Sequence, residues 1–295
     1  MNPPFIISAS RRTDIPAFYS EWFMHRVRAG YCKVRHPFSK KEILVSLKPE
    51  DVVGIVFWTK NFEPTLKYLD ELERRGFFYL IHYTITGLGN NFEPRVPALE
   101  QSLDLFRGLS ERIGNERMLW RFDPIVITEK VGAAETLERF DSIASKLHGH
   151  ARRVYFSFMQ DYARVTSRMK SYAQTTRDRV LDSDAKEKLM LSQRLTDLAH
   201  AKGLSIHACC QPDLVGFGIE PAHCIDAALM ARLTGKIVAG KPAPTRKSCG
   251  CDFSVDLGAY DSCPHLCWYC YANSHPAPVG RNFSAHRIKG EFLVE

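Results

Sequence analysis

The run Val52-Val53-Gly54-Ile55-Val56-Phe57-Trp58-Thr59 is apolar almost throughout and turns polar at Lys60-Asn61. A strand buried on both faces reads this way, whereas a strand with one wet face alternates. Upstream, Phe5 to Ser10 (FIISAS) is a second short buried strand. It runs into Arg11-Arg12-Thr13-Asp14-Ile15-Pro16, where Asp14 can cap a helix and Pro16 suits its first turn. Phe18, Trp22, Phe23 and Val27 then recur at helical spacing until Gly30, and Tyr31 to Leu47 reads as a hairpin-like excursion. Downstream, Pro64 to Arg75 is an amphipathic helix closed by Gly76.

The pattern then repeats. Strands are expected at Phe77 to Thr86, Met118 to Phe122, Val154 to Met159 and Leu204 to Cys209. Helices are expected at Pro97 to Ile113, Ala133 to Leu147, Ser183 to Lys202 and Ile225 to Leu233. The basic polar segment from Tyr162 to Asp182 reads as a lid or substrate loop. Six strand–helix units in strict alternation predict an α/β fold with a parallel sheet, arranged as a partial or closed TIM-like (β/α)6 barrel over residues 1–234. No glycine-rich phosphate loop opens the first helix, which counts against a dinucleotide fold. Residues 235–295 form a cysteine-, proline- and glycine-rich extension, expected to fold over the barrel mouth rather than make a separate domain.

The 295 residues carry 45% apolar and 25% charged side chains, an ordinary balance for a globular chain. No apolar run approaches the roughly 18 residues needed to cross a bilayer, so no membrane partner is expected. The N-terminus lacks a basic stretch followed by a cleavage site, and the expected location is the cytoplasm. Nine cysteines, an odd number clustered late, favour metal or redox use over a disulfide framework. The formal charge is +7, and the first fifty residues hold nine Lys/Arg against four Asp/Glu. That excess admits a phosphorylated or nucleic-acid partner, although no basic run reaches the density of a nucleic-acid tail.

In parallel barrels the reactive groups come from the C-terminal strand ends. Here those ends are polar. Arg11, Arg12, Asp14, Lys60, Asn61, Arg121 and Asp123 are the candidate catalytic residues, and Ser10, Thr59, Tyr83 and Ser157, with Tyr269 of the tail, the candidate cofactor-binding residues. In the tail, Cys263-Pro264-His265-Leu266-Cys267-Trp268-Tyr269-Cys270 sets three thiols at spacings of four and three. A cubane iron–sulfur cluster takes four ligands, so a tripod of three leaves one iron open to something other than protein. A structural zinc knuckle remains the alternative. Cys249 and Cys251 form a CGC, and Cys209 and Cys224 flank the last strand and helix. If the tail covers that mouth, these four can meet in a second metal centre, a second iron–sulfur cluster. The rivals are plain packing for Cys209, Cys210 and Cys224, and a zinc site shared with the tripod for Cys249 and Cys251.

CPHLCWYC resembles the CxxxCxxC signature of radical S-adenosylmethionine enzymes. That likeness implies a 4Fe–4S cluster on Cys263, Cys267 and Cys270 whose open iron chelates S-adenosylmethionine, with a reductant such as flavodoxin or ferredoxin. Beyond the tripod, the chain resembles an uncharacterised bacterial domain-of-unknown-function family. The likeness lies in Ser8 to Ala17 (SASRRTDIPA), Phe57 to Asn61 (FWTKN), Trp120 to Ile125 (WRFDPI) and Cys249 to Asn273. It implies the same three cysteines as cluster ligands. Two features depart from ordinary radical enzymes. The tripod follows the sixth strand–helix unit instead of the first strand, and no Gly-Gly-Glu-like segment follows the second strand, where Asn61, Lys60 or Asp123 would have to substitute.

The reading that results is an enzyme in which a reduced cluster cleaves S-adenosylmethionine to a 5′-deoxyadenosyl radical that takes hydrogen from a small substrate. Arg11, Arg12, Lys60 and Arg121 point to an anionic one. A DNA-repair lyase similar to spore photoproduct lyase is the second enzyme reading. A non-catalytic binding protein with a zinc- or cluster-stapled tail is the third.

Overall fold

In the computed structural model, residues 4–37, 39, 41–236, 238 and 240–295 are described. Strand β1 (Phe5–Ala9) leads through a single turn, α1 (Ile15–Phe18), into α2 (Ser20–Ala29). Then β2 (Tyr31–Arg35) and β3 (Glu42–Ser46) pair antiparallel, the hairpin that Tyr31 to Leu47 led us to expect; positions 38 and 40 lie outside the described residues. After β4 (Val52–Thr59) come a 3-10 turn (Glu63–Tyr68) and α3 (Leu69–Arg74). Next are β5 (Tyr79–Thr84), α4 (Leu99–Ile113), β6 (Met118–Ile125), α5 (Ala133–Lys146) and β7 (Arg153–Phe158). The helices α6 (Ala163–Thr176) and α7 (Ala185–Ala201) precede β8 (Ser205–Ala208) and a short β9 (Ile219–Pro221). The chain closes with α8 (Ala227–Thr234), β10 (Ser254–Asp256) and α9 (Pro276–Ala285).

Eight strands make one sheet in the order β10-β1-β4-β5-β6-β7-β8-β9, and every pairing in it is parallel. The sheet is open, with β10 and β9 as its two edges, so a closed barrel does not form. The alternation of strand side chains sorts residues onto two faces. Ile7, Ile55, Phe57, Ile81, Trp120 and Phe156 join the large core under the helices. Trp120 stacks on Phe140 of α5 at 5.0 Å. Each such large side chain contributes about 2–3 kcal/mol by leaving water. Ile6, Val56, Leu80, Leu119 and Tyr155 face the other way, against Ile225, Leu229 and Met230 in and before α8. Gly54 is the point of closest approach there, because a Cβ would sit 2.7 Å from the Met230 sulfur.

Three sequence expectations need correction. The segment from Tyr162 to Asp182 is not a loop: Val165, Met169 and Tyr172 form a buried stripe at helical spacing that packs α6 onto Phe92 and Val126. Its many basic residues hid that stripe. The helix expected from Pro64 begins as the 3-10 turn and becomes α-helical only at Leu69. Finally, residues 235–295 are not merely draped on the sheet. β10 extends it by pairing with β1, Ile7 opposite Val255, and α9 adds a helix with Val279 buried.

Candidate functional site

The strand tips are joined to the tail by three carboxylates, Asp14 and Glu93 buried and Asp256 nearly so. Asp256, the last residue of β10, is the first. Its Oδ1 accepts from Ser10 Oγ (2.7 Å) and from Arg12 Nε and Nη2 (3.2 and 3.0 Å). Its Oδ2 accepts from Ser8 Oγ (2.8 Å) and the Arg11 backbone N–H (3.0 Å). Burial pushes this carboxyl up, but Arg12 and Arg11 outweigh it and hold the group at about 2.

Asp14 is the second hub. It caps α1 through the Ala17 N–H (3.0 Å) and also accepts from Thr59 Oγ1 (2.8 Å) and the Lys60 N–H (2.7 Å). His265, inside the cysteine tripod, donates Nε2 to Asp14 Oδ2 at 2.8 Å. One residue thus ties the tips of β1 and β4 to the tripod loop.

Glu93, in the loop after β5, is the third. Its Oε1 accepts from Lys60 Nζ (2.7 Å), Thr86 Oγ1 (2.7 Å) and Tyr269 OH. Burial raises Glu93, yet Lys60 and the hydrogen bonds from Tyr269 and Thr86 win, and its carboxyl lies below the ordinary range. From the far side Arg168 of α6 donates to the carbonyls of Leu266, Cys267, Cys270 and Asn273 at 2.7–3.4 Å. The tripod is therefore held between β1, β4 and β5 on one flank and α6 on the other.

Cys263, Cys267 and Cys270 lie close enough to act on one another electrostatically. Burial pushes the Cys267 thiol up, Lys60 opposes, and Glu93, Cys270 and Cys263 reinforce the rise. Burial pushes the Cys263 thiol up, Asp14 and Cys270 reinforce the rise, and the backbones of Asp14 and His265 oppose it. Three thiols in one loop, with the Lys60 ammonium and the Arg168 guanidinium acting on them, suit a cluster-bound set of thiolates. In donor chemistry the tripod fits an iron–sulfur group. Among the described residues no set of three or more His, Cys, Asp or Glu side chains is gathered to hold a single metal ion.

Arg121 and Asp123 pair on β6, and Ser157 of β7 donates to the same carboxylate. The Arg121 guanidinium lies 5.2 Å from the Trp58 ring centre, and its Nη1 is 3.2 Å from Cys224 Sγ. Asn61 turns away from this group: it accepts from the Glu63 N–H and so starts the 3-10 turn. Tyr83 also stands apart, in the helix-side core with its ring edge on Phe106. The four cations named as an anion-binding ring are already neutralised internally. Arg11 and Arg12 pair with Asp256, Lys60 with Glu93 and Arg121 with Asp123.

Cys209, Cys224, Cys249 and Cys251 do meet, and Cys210 joins them. Cys209 Sγ is 3.7 Å from Cys224 Sγ and 3.9 Å from Cys210 Sγ. The CGC pair packs in the same cluster as Cys209, Cys210 and Cys224, a cluster that does not include the tripod cysteines. Cys32 is packed in the core beneath the helices.

Sequence reading missed a layer across the same sheet face. Trp58 stacks on His82 (4.5 Å), His82 meets Tyr155 edge-on (5.0 Å), and Tyr155 stacks on His207 (5.0 Å). His82 donates Nε2 to the Cys224 carbonyl at 2.8 Å, and its buried Nδ1 has no partner. Burial, then Arg121, holds this imidazole neutral by lowering its pKa well below the usual value. The available signal was period two: Trp58, His82, Tyr155 and His207 all take the face opposite the helix-packed residues. A cleft beside the tips of β6 and β7 runs along α6, lined by Phe158, Met159, Gln160, Met169 and Lys170.

A parallel α/β sheet whose strand tips and C-terminal tail share buried carboxylates and two groups of thiols defines the class. Within it, the chain belongs to the family described as DUF1848, a domain of unknown function, whose model matches residues 6–272. Among curated proteins no sequence matches the chain. Among solved structures it is similar to dihydropyrimidinase from Brevibacillus agri NCHU1002, at 10% identity and a TM-score of 0.33. That match covers 83% of this chain and 52% of the other, so the chain spans about half the length of that structure. Among the described residues no helix is long and apolar enough to cross a membrane.

Proposed function

We propose that this chain is a radical S-adenosylmethionine-type enzyme, with its sheet serving as a partial (β/α)6 barrel and Cys263, Cys267 and Cys270 holding a 4Fe–4S cluster. The observation that carries the reading is the suspension of the three-cysteine loop at the strand tips by Asp14, Glu93 and Arg168. Such a cluster, reduced by one electron, supplies reductive cleavage of S-adenosylmethionine and hydrogen abstraction from a substrate. The chain's own residues do the positioning. Arg168 fixes the loop carbonyls, Asp14 orients His265, and the Lys60–Glu93–Tyr269 network closes the loop against β4 and β5. Trp58, His82 and Tyr155 form a dry wall below, which suits a site that must exclude water from a reactive species.

Because the arginines and Lys60 are already paired, the substrate class is set less by bulk positive charge than by the few donors left free. The buried Arg11 Nη1 and Tyr155 OH are two of these, and both suit an oxygen-bearing small molecule. Cytoplasmic placement and a flavodoxin- or ferredoxin-type reductant belong to the same proposal.

The test is anaerobic reconstitution with iron and sulfide, then dithionite and S-adenosylmethionine, with 5′-deoxyadenosine as the readout. Wild type is expected to form it, and Cys267→Ala to lose both the product and the iron of this site. No product from fully iron-loaded wild type refutes the reading.

A further inference from the structure

Five thiols outside the tripod gather in one circuit. Cys209 and Cys210 directly follow β8, Cys224 precedes α8, and Cys249 and Cys251 lie just before β10. Cys209 touches Cys210 (3.9 Å) and Cys224 (3.7 Å). Cys249 and Cys251 pack into the same cluster, with Cys251 buried in it. Gly250 permits the approach, since a Cβ there would sit 3.1 Å from the Ala222 carbonyl oxygen.

Three guanidiniums surround the circuit. Arg121 Nη1 lies 3.2 Å from Cys224 Sγ, and Arg246 Nη2 lies 3.4 Å from Cys209 Sγ. Arg11 acts electrostatically on Cys251 and Cys224 and keeps Nη1 buried without a partner. Arg121 and Arg11 have carboxylates in Asp123 and Asp256. Arg246 donates to Gln160, Tyr162 and Cys209, none of them a carboxylate. Neutral thiols are weak acceptors and return little for the water lost by a half-buried guanidinium such as that of Arg246. Thiolates return a counter-charge, and several thiolates in one buried place repel unless something cationic binds them together. Thiophilic metals do that.

We propose that four of these five cysteines hold a second metal–thiolate centre, closed by protein ligands and occupied by a zinc ion or an iron–sulfur cluster. The guanidiniums of Arg11, Arg121 and Arg246 balance its negative charge. On loading, each ligating thiol releases its proton to solvent, and the side chains turn about χ1 from a circuit into a cage. With every position taken by protein, the centre staples β8, the start of α8 and the segment before β10 to one another. It binds no substrate. This inference stands independently of the cofactor on the tripod.

The test removes the tripod. A full-length variant carrying Cys263→Ala, Cys267→Ala and Cys270→Ala is purified anaerobically, and its folding is checked by circular dichroism. Zinc, iron and acid-labile sulfide are then counted, before and after incubation with zinc alone or with ferrous iron and sulfide. The folded variant is expected to retain one centre per chain, read as about one zinc or about four irons. Adding Cys224→Ala and Cys251→Ala is expected to abolish it. A folded tripod variant that takes up neither zinc nor iron with sulfide overturns the proposal, as does retention of the same metal after the two further substitutions. Failure of the tripod reading leaves these counts unchanged, because the tripod is absent throughout.

Discussion

Replacing Asp256 by asparagine isolates the contact that binds the cysteine-bearing tail to the first strand. The carboxylate accepts from Ser8, Ser10, Arg11, Arg12 and the Gly258 N–H, with donors arriving at both oxygens. An amide presents an NH2 to one set of donors and removes the charge facing two guanidiniums that are only 16% and 13% exposed. Removing one partner of a buried ion pair costs about 3–5 kcal/mol. The pH dependence supplies a second route to the magnitude. The group titrates at about 2 in the folded chain against 3.8 as its ordinary value, a difference worth about 2 kcal/mol. Because the folded pKa is depressed, that stabilisation is complete above the unfolded pKa near 4 and is lost as pH falls toward about 2. The asparagine value exceeds the linkage value because the amide also sets donors against donors. Urea unfolding at pH 7 and at steps below pH 5 measures both. The wild-type-minus-variant difference is expected to be about 3–5 kcal/mol at pH 7 and to shrink by about 2 kcal/mol on acidification. A difference under about 1 kcal/mol at pH 7, or one that does not change with pH, refutes the argument.

Three further substitutions probe the other supports. Arg168→Lys replaces a planar fork that reaches four carbonyls with a single ammonium, and is expected to cost about 2–4 kcal/mol in urea unfolding and to lower iron retention at the tripod. Lys60→Met leaves Glu93 buried and unpaired, and is expected to destabilise by about 3–5 kcal/mol, with Glu93→Gln in the same chain restoring part of the loss. Gly258→Ala is expected to cost about 1–3 kcal/mol in thermal or urea unfolding, because a Cβ there falls 1.9 Å from Ser10 Oγ and 2.8 Å from Ser10 Cβ.

The parallel sheet was legible because its central strands are long apolar runs and each following helix carries its own stop signal. VVGIVFWT and FFYLIHYTIT read correctly for that reason. β10 was not legible: Ser-Val-Asp is three residues long, and what makes it a strand is Asp256 meeting Arg11 and Arg12 from the far end of the chain. α6 was hidden by composition, its buried stripe being interleaved with Arg164 and Lys170, which face solvent, and with Arg168, which is buried on the cysteine loop. At the site, the rule that polar strand ends gather describes three sets: Ser10, Arg11 and Arg12 at Asp256, Thr59 and Lys60 at Asp14, and Arg121 and Ser157 at Asp123. It failed for Tyr83, which lies one step out of phase on the helix side, and for Asn61, whose side chain serves the backbone. Glu93 gave no signal, since a lone glutamate in a Gly/Asn-rich loop looks like surface. Only its three donors identify it as a hub.

The β1–β10 contact also fixes an order of events. Ser8 and its partner Asp256 are separated by 248 positions, so the first strand must wait for nearly the whole polypeptide before its outer edge is covered. Until then β1 offers an unsatisfied row of amides and carbonyls, the kind of border through which chains recruit one another. Both thiol groups lie on either side of that final strand. Neither set of cysteines is consequently complete until that seam has closed, and a chain halted before it carries unassembled thiols beside an open border.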